Sequence, residues 1–225
     1  MKKATLFLLM ILMISMSSYG KGKYKARKGK SSDSKGYYSF SIGPSLPMGN
    51  YAKKNTEGSD ASGFAKTGLH INLANFGYKI VSNFGICGVI SVGANSFNAK
   101  EATTYEDKDS YWVYANFMLG PLASFDAGDK ISIDLRPMAG LAYAASPEVN
   151  YNGSAVLIKS DRKSTFGVNI GATCRYHMSD RADLGLNLDY FSAEQKFKPE
   201  FLGTEGEWKQ KMNLLGVTVG MAFKF

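Results

Sequence analysis

The chain holds two histidines, His70 and His177, and two cysteines, Cys87 and Cys174. These are its most versatile chemical groups, and their spacing gives them little to do together. A metal centre needs three or four ligands brought close, and neither histidine has further ligands at suitable spacing. A hydrolytic nucleophile needs a Ser or Cys beside a His that a carboxylate orients. Serines abound, yet no pattern marks one as paired with a histidine. The sequence therefore points to no catalytic residue, no metal and no cofactor. A second set is more informative. Asp134, Arg136, Arg175, Asp183 and Asp189 lie among Gly, Ser and Asn in stretches that alternate apolar and polar residues. Charges in such company make sense if they pair with one another in a narrow enclosed space. Arg136 and Arg175 are expected to share Asp134, Asp183 or Asp189.

The segments that carry these residues read as strands. The terminal stretch LLGVTVGMAFKF puts Leu215, Val217, Val219, Met221, Phe223 and Phe225 on one face. Leu214, Gly216, Thr218, Gly220, Ala222 and Lys224 fall on the other, the period of a two-faced strand. Seven earlier segments repeat the pattern: YYSFSIGPSL, FAKTGLHINLAN, NFGICGVISVGAN, SYWVYANFMLG, KISIDLRPMAGLAY, TFGVNIGATCRYHM and ADLGLNLDYF. In each, a continuous apolar face opposes one of Gly, Ser, Asn or charged residues. His70 falls on the polar face of the second strand and His177 beside a short turn, both in structural roles. Cys87 and Cys174 fall on opposite faces of non-adjacent strands. That excludes disulfide geometry, and both read as small apolar fillers.

Eight such strands fit a soluble sandwich or barrel as well as a membrane barrel. Three features favour the membrane. The polar face is rich in Gly and in potential ion partners, as the narrow interior of an eight-stranded barrel requires. Aromatic residues stand near the ends of the apolar faces, at Tyr38, Tyr111, Tyr143, Tyr176, Tyr190 and Phe225, in the manner of an interfacial girdle. The joints also alternate in length. Those near 77–82, 126–130 and 178–181 are short, and those near 47–62, 95–109, 144–163 and 192–211 are long. Short turns on one side and long loops on the other is the asymmetry of barrels that span a membrane. In the third long loop, Asn152 and Gly153 form a hairpin-tip signal. The fifth and sixth strands are expected to continue through it as a ribbon, whose apolar residues either offer a partner-binding edge or pack on neighbouring loops.

The N-terminus MKKATLFLLMILMISMSSYG has the basic, apolar and small-residue order of a cleaved secretory signal, so residues 1–20 are expected to be removed. The formal charge is +8. Lys2, Lys3 and the seven cations and one anion of residues 21–36 account for all of it. The basic balance belongs to a tail that cannot bury a core, and an exported chain excludes nucleic acid as a partner. Residues 37–225 suffice for one domain.

Across 37–225 the chain resembles the small OmpA/OmpX-type outer-membrane barrels. The resemblance rests on GYYSFSIGPSLPMGNY, on GFAKTGLHINL and on the terminal aromatic. It implies an eight-stranded antiparallel up-and-down transmembrane β-barrel with periplasmic turns and extracellular loops. It also implies that Phe223 and Phe225 form the signal read by the barrel-assembly machinery. The expected function is a non-enzymatic, monomeric barrel in outer-membrane lipid. Its role is structural or one of surface interaction through the loops, where an unidentified protein partner has room to bind. The alternatives are an accessory of a secretion or transport assembly, a lipid-modifying barrel enzyme, and a soluble lipocalin-like binder.

Overall fold

The computed structural model of the protein describes residues 34–54, 62–103, 110–151, 155–198, 200–201, 204–205 and 207–225. The expected signal peptide, most of the basic tail and the hairpin tip at Asn152 and Gly153 lie outside these residues.

Eight long strands close into a ring: β1 (Gly36–Met48), β2 (Ala65–Lys79), β3 (Phe84–Phe97), β4 (Tyr111–Asp126), β5 (Ile131–Ala145), β8 (Arg162–His177), β9 (Ala182–Phe197) and β12 (Trp208–Lys224). Each pairs antiparallel with its neighbours in the chain, and β1 closes on β12 from Tyr37↔Lys224 to Met48↔Asn213. At the seam, Phe225 and Gly36 exchange two backbone hydrogen bonds of 3.0 and 3.1 Å. The joints β2–β3, β4–β5 and β8–β9 are tight turns, and with the closed seam they define a short-turn end. The other joints gather at the opposite, loop end.

Alternation places Phe40, Ile42, Leu69, Ile90, Phe117, Leu135, Ile170, Leu188 and Val219 outward and exposed. Ser41, Asn72, Ser91, Asp134, Arg136, Thr173, Asn187 and Thr218 are buried inside. On β12 the outward apolar run from Leu215 to Phe225 spans ten residue steps. At about 3.3 Å per step and a tilt of about 40°, this makes a band about 25 Å tall. An exposed apolar band of that continuity needs lipid around it.

The strands also run past the band, and there the polar face does not stay inside. Beyond Tyr190 the outward residues of β9 are Ser192, Glu194 and Lys196, and Phe191, Ala193 and Phe197 are buried inside. On β12 the outward residues before Leu215 are Lys209, Lys211 and Asn213, with Met212 and Leu214 buried. An inner face that is polar throughout, and a last loop spanning 192–211, therefore do not hold. Above the lipid the outer wall meets water, so the apolar residues turn inward to form a core.

The ribbon expected from the fifth and sixth strands is also different. Barrel strands β5 and β8 end at Ala145 and begin at Arg162. Between them β6 (Val149–Tyr151) and β7 (Ala155–Lys159) form a separate hairpin. With β10 (Glu200–Phe201) and β11 (Thr204–Glu205) it makes a four-stranded sheet of its own, ordered β11-β10-β7-β6. The edge of β7 is thus taken by the last long loop, with Ile158 opposite Phe201, and Val149 is fully buried. Ile158 packs against the same core, and the ribbon's other apolar side chains lie outside the described residues.

Candidate functional site in the barrel lumen

The lumen is filled in two tiers. In the lower tier Asp134, Arg136, Arg175, Asp183 and Asp189 all face inward and are buried. They form two groups. Arg175 grips Asp134 with two bonds, Nε to Oδ2 at 2.8 Å and Nη2 to Oδ1 at 3.2 Å, and extends Nη1 to Asp183 Oδ2 at 3.0 Å. The ring of Tyr37 lies 4.3 Å beneath its guanidinium, a cation–π contact. Asp183 also accepts from Lys224 Nζ at 2.9 Å and His177 Nδ1 at 2.8 Å. Arg136 stands apart from that cluster. Its Nη2 reaches Asp189 Oδ1 at 3.1 Å and its Nη1 bonds Asn75 Oδ1. Arg136 and Arg175 therefore do not share a carboxylate.

The second pair depends on a residue with no side chain. Arg136 on β5 is level with Gly171 on β8, which is level with Asp189 on β9. The pair reaches across the intervening strand. A Cβ on Gly171 would lie 2.6 Å from Asp189 Oδ1 and 3.0 Å from Arg136 Nη2. The same device recurs higher up. Tyr114 on β4 and His70 on β2 flank Gly93 on β3, and Tyr114 Oη meets His70 Nδ1 at 2.9 Å above it. His70 Nε2 donates to Asn72 Oδ1 at 3.0 Å, and Asn72 Nδ2 donates to Asp189 Oδ2 at 3.3 Å. His70 is a buried link between the tiers.

The upper tier is aromatic. Trp112 is fully buried, and around it stand Tyr51, Phe97, Phe197 and Trp208 at ring separations of 5.7, 6.5, 5.5 and 5.1 Å. Tyr51 and Gly63, from the two ends of the first long joint, supply part of this plug. The Gly63 carbonyl accepts from Trp112 Nε1 at 2.8 Å, and burial raises the Tyr51 phenol well above its usual pKa. Phe64 adopts a positive φ of 48°, a strained setting for a side chain with a Cβ. Hydrogen bonds on both sides hold it there: its N–H donates to Lys53 O, and its carbonyl accepts from Asn98 N. Two loops are thereby clamped over the lumen. A further clasp joins the other two, because Asp161 Oδ2 accepts from Lys198 N at 2.6 Å and Oδ1 from Arg162 N at 2.7 Å. The sequence reading missed this plug, although Trp112 and Tyr114 sit on the inward phase of their strand.

The outer wall is interrupted between β4 and β5. Pro121 on β4 and Pro137 on β5 lie level, and the β4–β5 pairing is interrupted between Leu119↔Ala139 and Ala123↔Leu135. Neither proline has an N–H to contribute. Outside the gap lies an apolar groove of about 660 Å³, bordered by Phe84, Leu135, Ile170, Leu188, Tyr190 and Leu215. The cysteines are free, Cys87 buried inside and Cys174 exposed on the wall. Phe223 and Phe225 are exposed at the short-turn end. Among the described residues no group of three or more His, Cys, Asp and Glu side chains is placed to hold a metal ion.

No protein-family model matches the sequence, and no curated protein matches it. Solved structures do. Neisserial surface protein A (NspA) aligns with a TM-score of 0.53 at 12% identity, over 85% of this chain and 98% of that one. The outer membrane protein OprG from Pseudomonas aeruginosa aligns with a TM-score of 0.52 at 13% identity, over 85% and 97%. At these identities the likeness is one of fold. The closed ring, the lipid-facing band and the sorted joints agree with it: the chain has the fold of the small eight-stranded outer-membrane barrels.

Proposed function

We propose that the protein is an outer-membrane barrel with a sealed lumen, which works at the cell surface through its loop end and catalyses no reaction. The observation that carries this reading is the double filling of the lumen, ionic below and aromatic above. A barrel of eight strands has room only for its own side chains, and here both tiers are filled with buried side chains. What remains to meet other molecules is the raised rim with the sheet of β6, β7, β10 and β11. The rim's exposed charges are mixed, with Lys159 beside Glu200 and Glu194 beside Lys196 and Lys211. A polar protein surface suits that character better than a polyanion.

Two measurements test the reading. Purified protein in planar bilayers should give no steady large conductance, and a stable porin-sized current would refute a sealed lumen. On intact cells, reagents should reach cysteines placed at Lys159 or Lys196 but not at Asp129 or Asp180, and the reverse pattern would invert the topology. For assembly, we propose that Phe223 and Phe225 are read by the insertion machinery. Removing Phe225 should then lower the inserted fraction in cells far more than the refolding yield in detergent.

The groove beside Pro121 and Pro137 favours a second reading, an accessory that packs in the membrane against another barrel. A photocrosslinker at Ala123 should trap a protein partner if so, and lipid alone if not.

A further inference from the structure

The groove beside Pro121 and Pro137 is lined by two level rows of outward side chains. One row runs from Phe84 on β3 through Ala123, Leu135 and Ala172 to Leu188 on β9. The other runs from Pro121 and Pro137 through Ile170 and Tyr190 to Leu215 on β12. Rows on one face are two residues apart, about 6.6 Å. Leu122 and Arg136 stand between them and are buried inside, so backbone forms the floor. Ala123, Ala172 and the two prolines have short side chains that keep this trough open.

The trough crosses six of the eight barrel strands, β3, β4, β5, β8, β9 and β12. Strands about 4.8 Å apart make it about 24 Å long, and it bends with the wall. That curvature decides between occupants. A rigid second barrel meets a convex wall along a line, whereas a hydrocarbon chain can follow a curved trough one side chain wide. Strands tilted by about 40° make the rows fall about 15 Å over this length. That is one leaflet's share of a hydrocarbon core of about 30 Å. The low end is Phe84, the first residue of β3 at the short-turn end, and the high end is Tyr190 and Leu215 at the upper edge of the apolar band.

Directly above the high end, the same two strands carry a surplus of cations. Ser192 Oγ donates to Asn213 Oδ1 at 2.8 Å. Beyond that bond Lys211 faces Glu194, and Lys209 faces Lys196. Lys209 has Glu207 at 3.9 Å. Like charges directly opposite destabilise a strand pair, and an anion held between them removes the conflict. Lysine stems lie along a wall and can lower their ammonium groups toward the interface. Three lysines against Glu194 and Glu207 leave one positive charge, which matches a single phosphate better than a polyanion.

We propose that the outer wall holds one anionic phospholipid, with an acyl chain in the trough from Leu215 down to Phe84 and its phosphate against Lys209 and Lys211. The trough supplies the chain contacts, and the lysines select the headgroup. The site stands or falls separately from the sealed lumen and the loop-end role proposed above. It competes with a second barrel for the same groove.

The test is native mass spectrometry of the full chain in detergent, with phosphatidylglycerol and phosphatidylcholine added at equal concentration. The parent should retain one phosphatidylglycerol after all other lipid is stripped. Ala172→Phe fills the trough from the lipid side and should lose it. Leu73→Phe, on the exposed outer face of β2 away from the trough, should keep it. Lys209→Gln/Lys211→Gln should remove the preference, so that the two lipids are held equally. Should Ala172→Phe not insert, the lysine variant decides, because its changes lie above the lipid-facing band. Equal retention of both lipids by the parent, several lipids held with none retained singly, or unchanged retention in Ala172→Phe would overturn the proposal. So would a lysine variant that still prefers phosphatidylglycerol, or a protein caught by the crosslinker at Ala123.

Discussion

Along β9 the outward residues run Leu184, Leu186, Leu188, Tyr190 and then Ser192, Glu194, Lys196. The inward residues run Asp183, Gly185, Asn187, Asp189 and then Phe191, Ala193, Gln195, Phe197. The two faces exchange character between Asp189 and Ser192, yet the phase of the strand never changes. The lower half is built for lipid outside and a polar filling inside. The upper half is built as a water-soluble barrel, with charge outside and an aromatic core inside. One continuous strand thus obeys opposite rules at its two ends, because burial is always relative to the solvent that surrounds it. In the lower half the interior must pair every charge it holds. In the upper half it must pack.

Those different rules predict different sensitivities. Arg136→Met should have the largest effect, since it leaves Asp189 buried with Asn72 as its remaining side-chain partner. Breaking such a pair costs about 3–5 kcal/mol, read as a fall in thermal unfolding temperature in detergent. The double variant Arg136→Met/Asp189→Leu should recover most of that loss, and a double variant as unstable as the single would show that the tier needs its charge. Trp112→Ala probes the other half. It should cost about 3–5 kcal/mol by cavity formation, but hydrogen exchange should rise at the loop end and leave the lower tier protected. Uniform loss of protection would mean that the two halves do not behave separately.

A charge on the outer wall separates the halves more finely. Leu188→Lys should cost about 2–4 kcal/mol if that face meets the bilayer interior, while a charge near the interface costs about 0–1 kcal/mol. Glu194→Lys, six residues further along the same face, should then leave stability almost unchanged. Equal effects at 188 and 194 would remove the boundary between the halves. The smallest effect concerns the loop clasp at Asp161. Partial desolvation opposes its ionisation, but the Lys198 and Arg162 amides and the Lys163 ammonium outweigh this and hold its pKa below the usual value. A depressed carboxylate contributes its full stabilisation above the ordinary aspartate range near about 4 and loses it as the pH falls through the folded-state value. Acidification below that range should therefore speed exchange at Lys198, and Asp161→Asn should remove the pH dependence. The site is largely solvated, so the change in global stability should be slight.

The lower half was legible in the sequence and the upper half was not, for one reason. Alternation with the apolar residues outward reads directly as a lipid-spanning strand, and it placed Asp134, Arg136, Arg175, Asp183 and Asp189 on the inward phase. Where the polarity inverts, SAEQKF and WKQKMN look like loop, so the raised rim was read as connections. The pairing partners were hidden as well. That Arg136 reaches Asp189 over Gly171, or Tyr114 reaches His70 over Gly93, depends on the register of three strands at once. A single strand's pattern carries no such information. The bond between His177 and Asp183 escaped notice on the same ground, since it depends on the pairing of β8 with β9.

The inversion itself can be measured directly. Spin labels placed one at a time at 184, 186, 188, 190, 192, 194 and 196 in reconstituted protein report contact with apolar oxygen or with a water-soluble nickel chelate. Labels from 184 to 190 should be open to oxygen and closed to the chelate, and the preference should reverse at 192. Chelate access at 186 and 188, or oxygen preference persisting to 196, would contradict a boundary at Tyr190 and with it the two-solvent reading of the barrel.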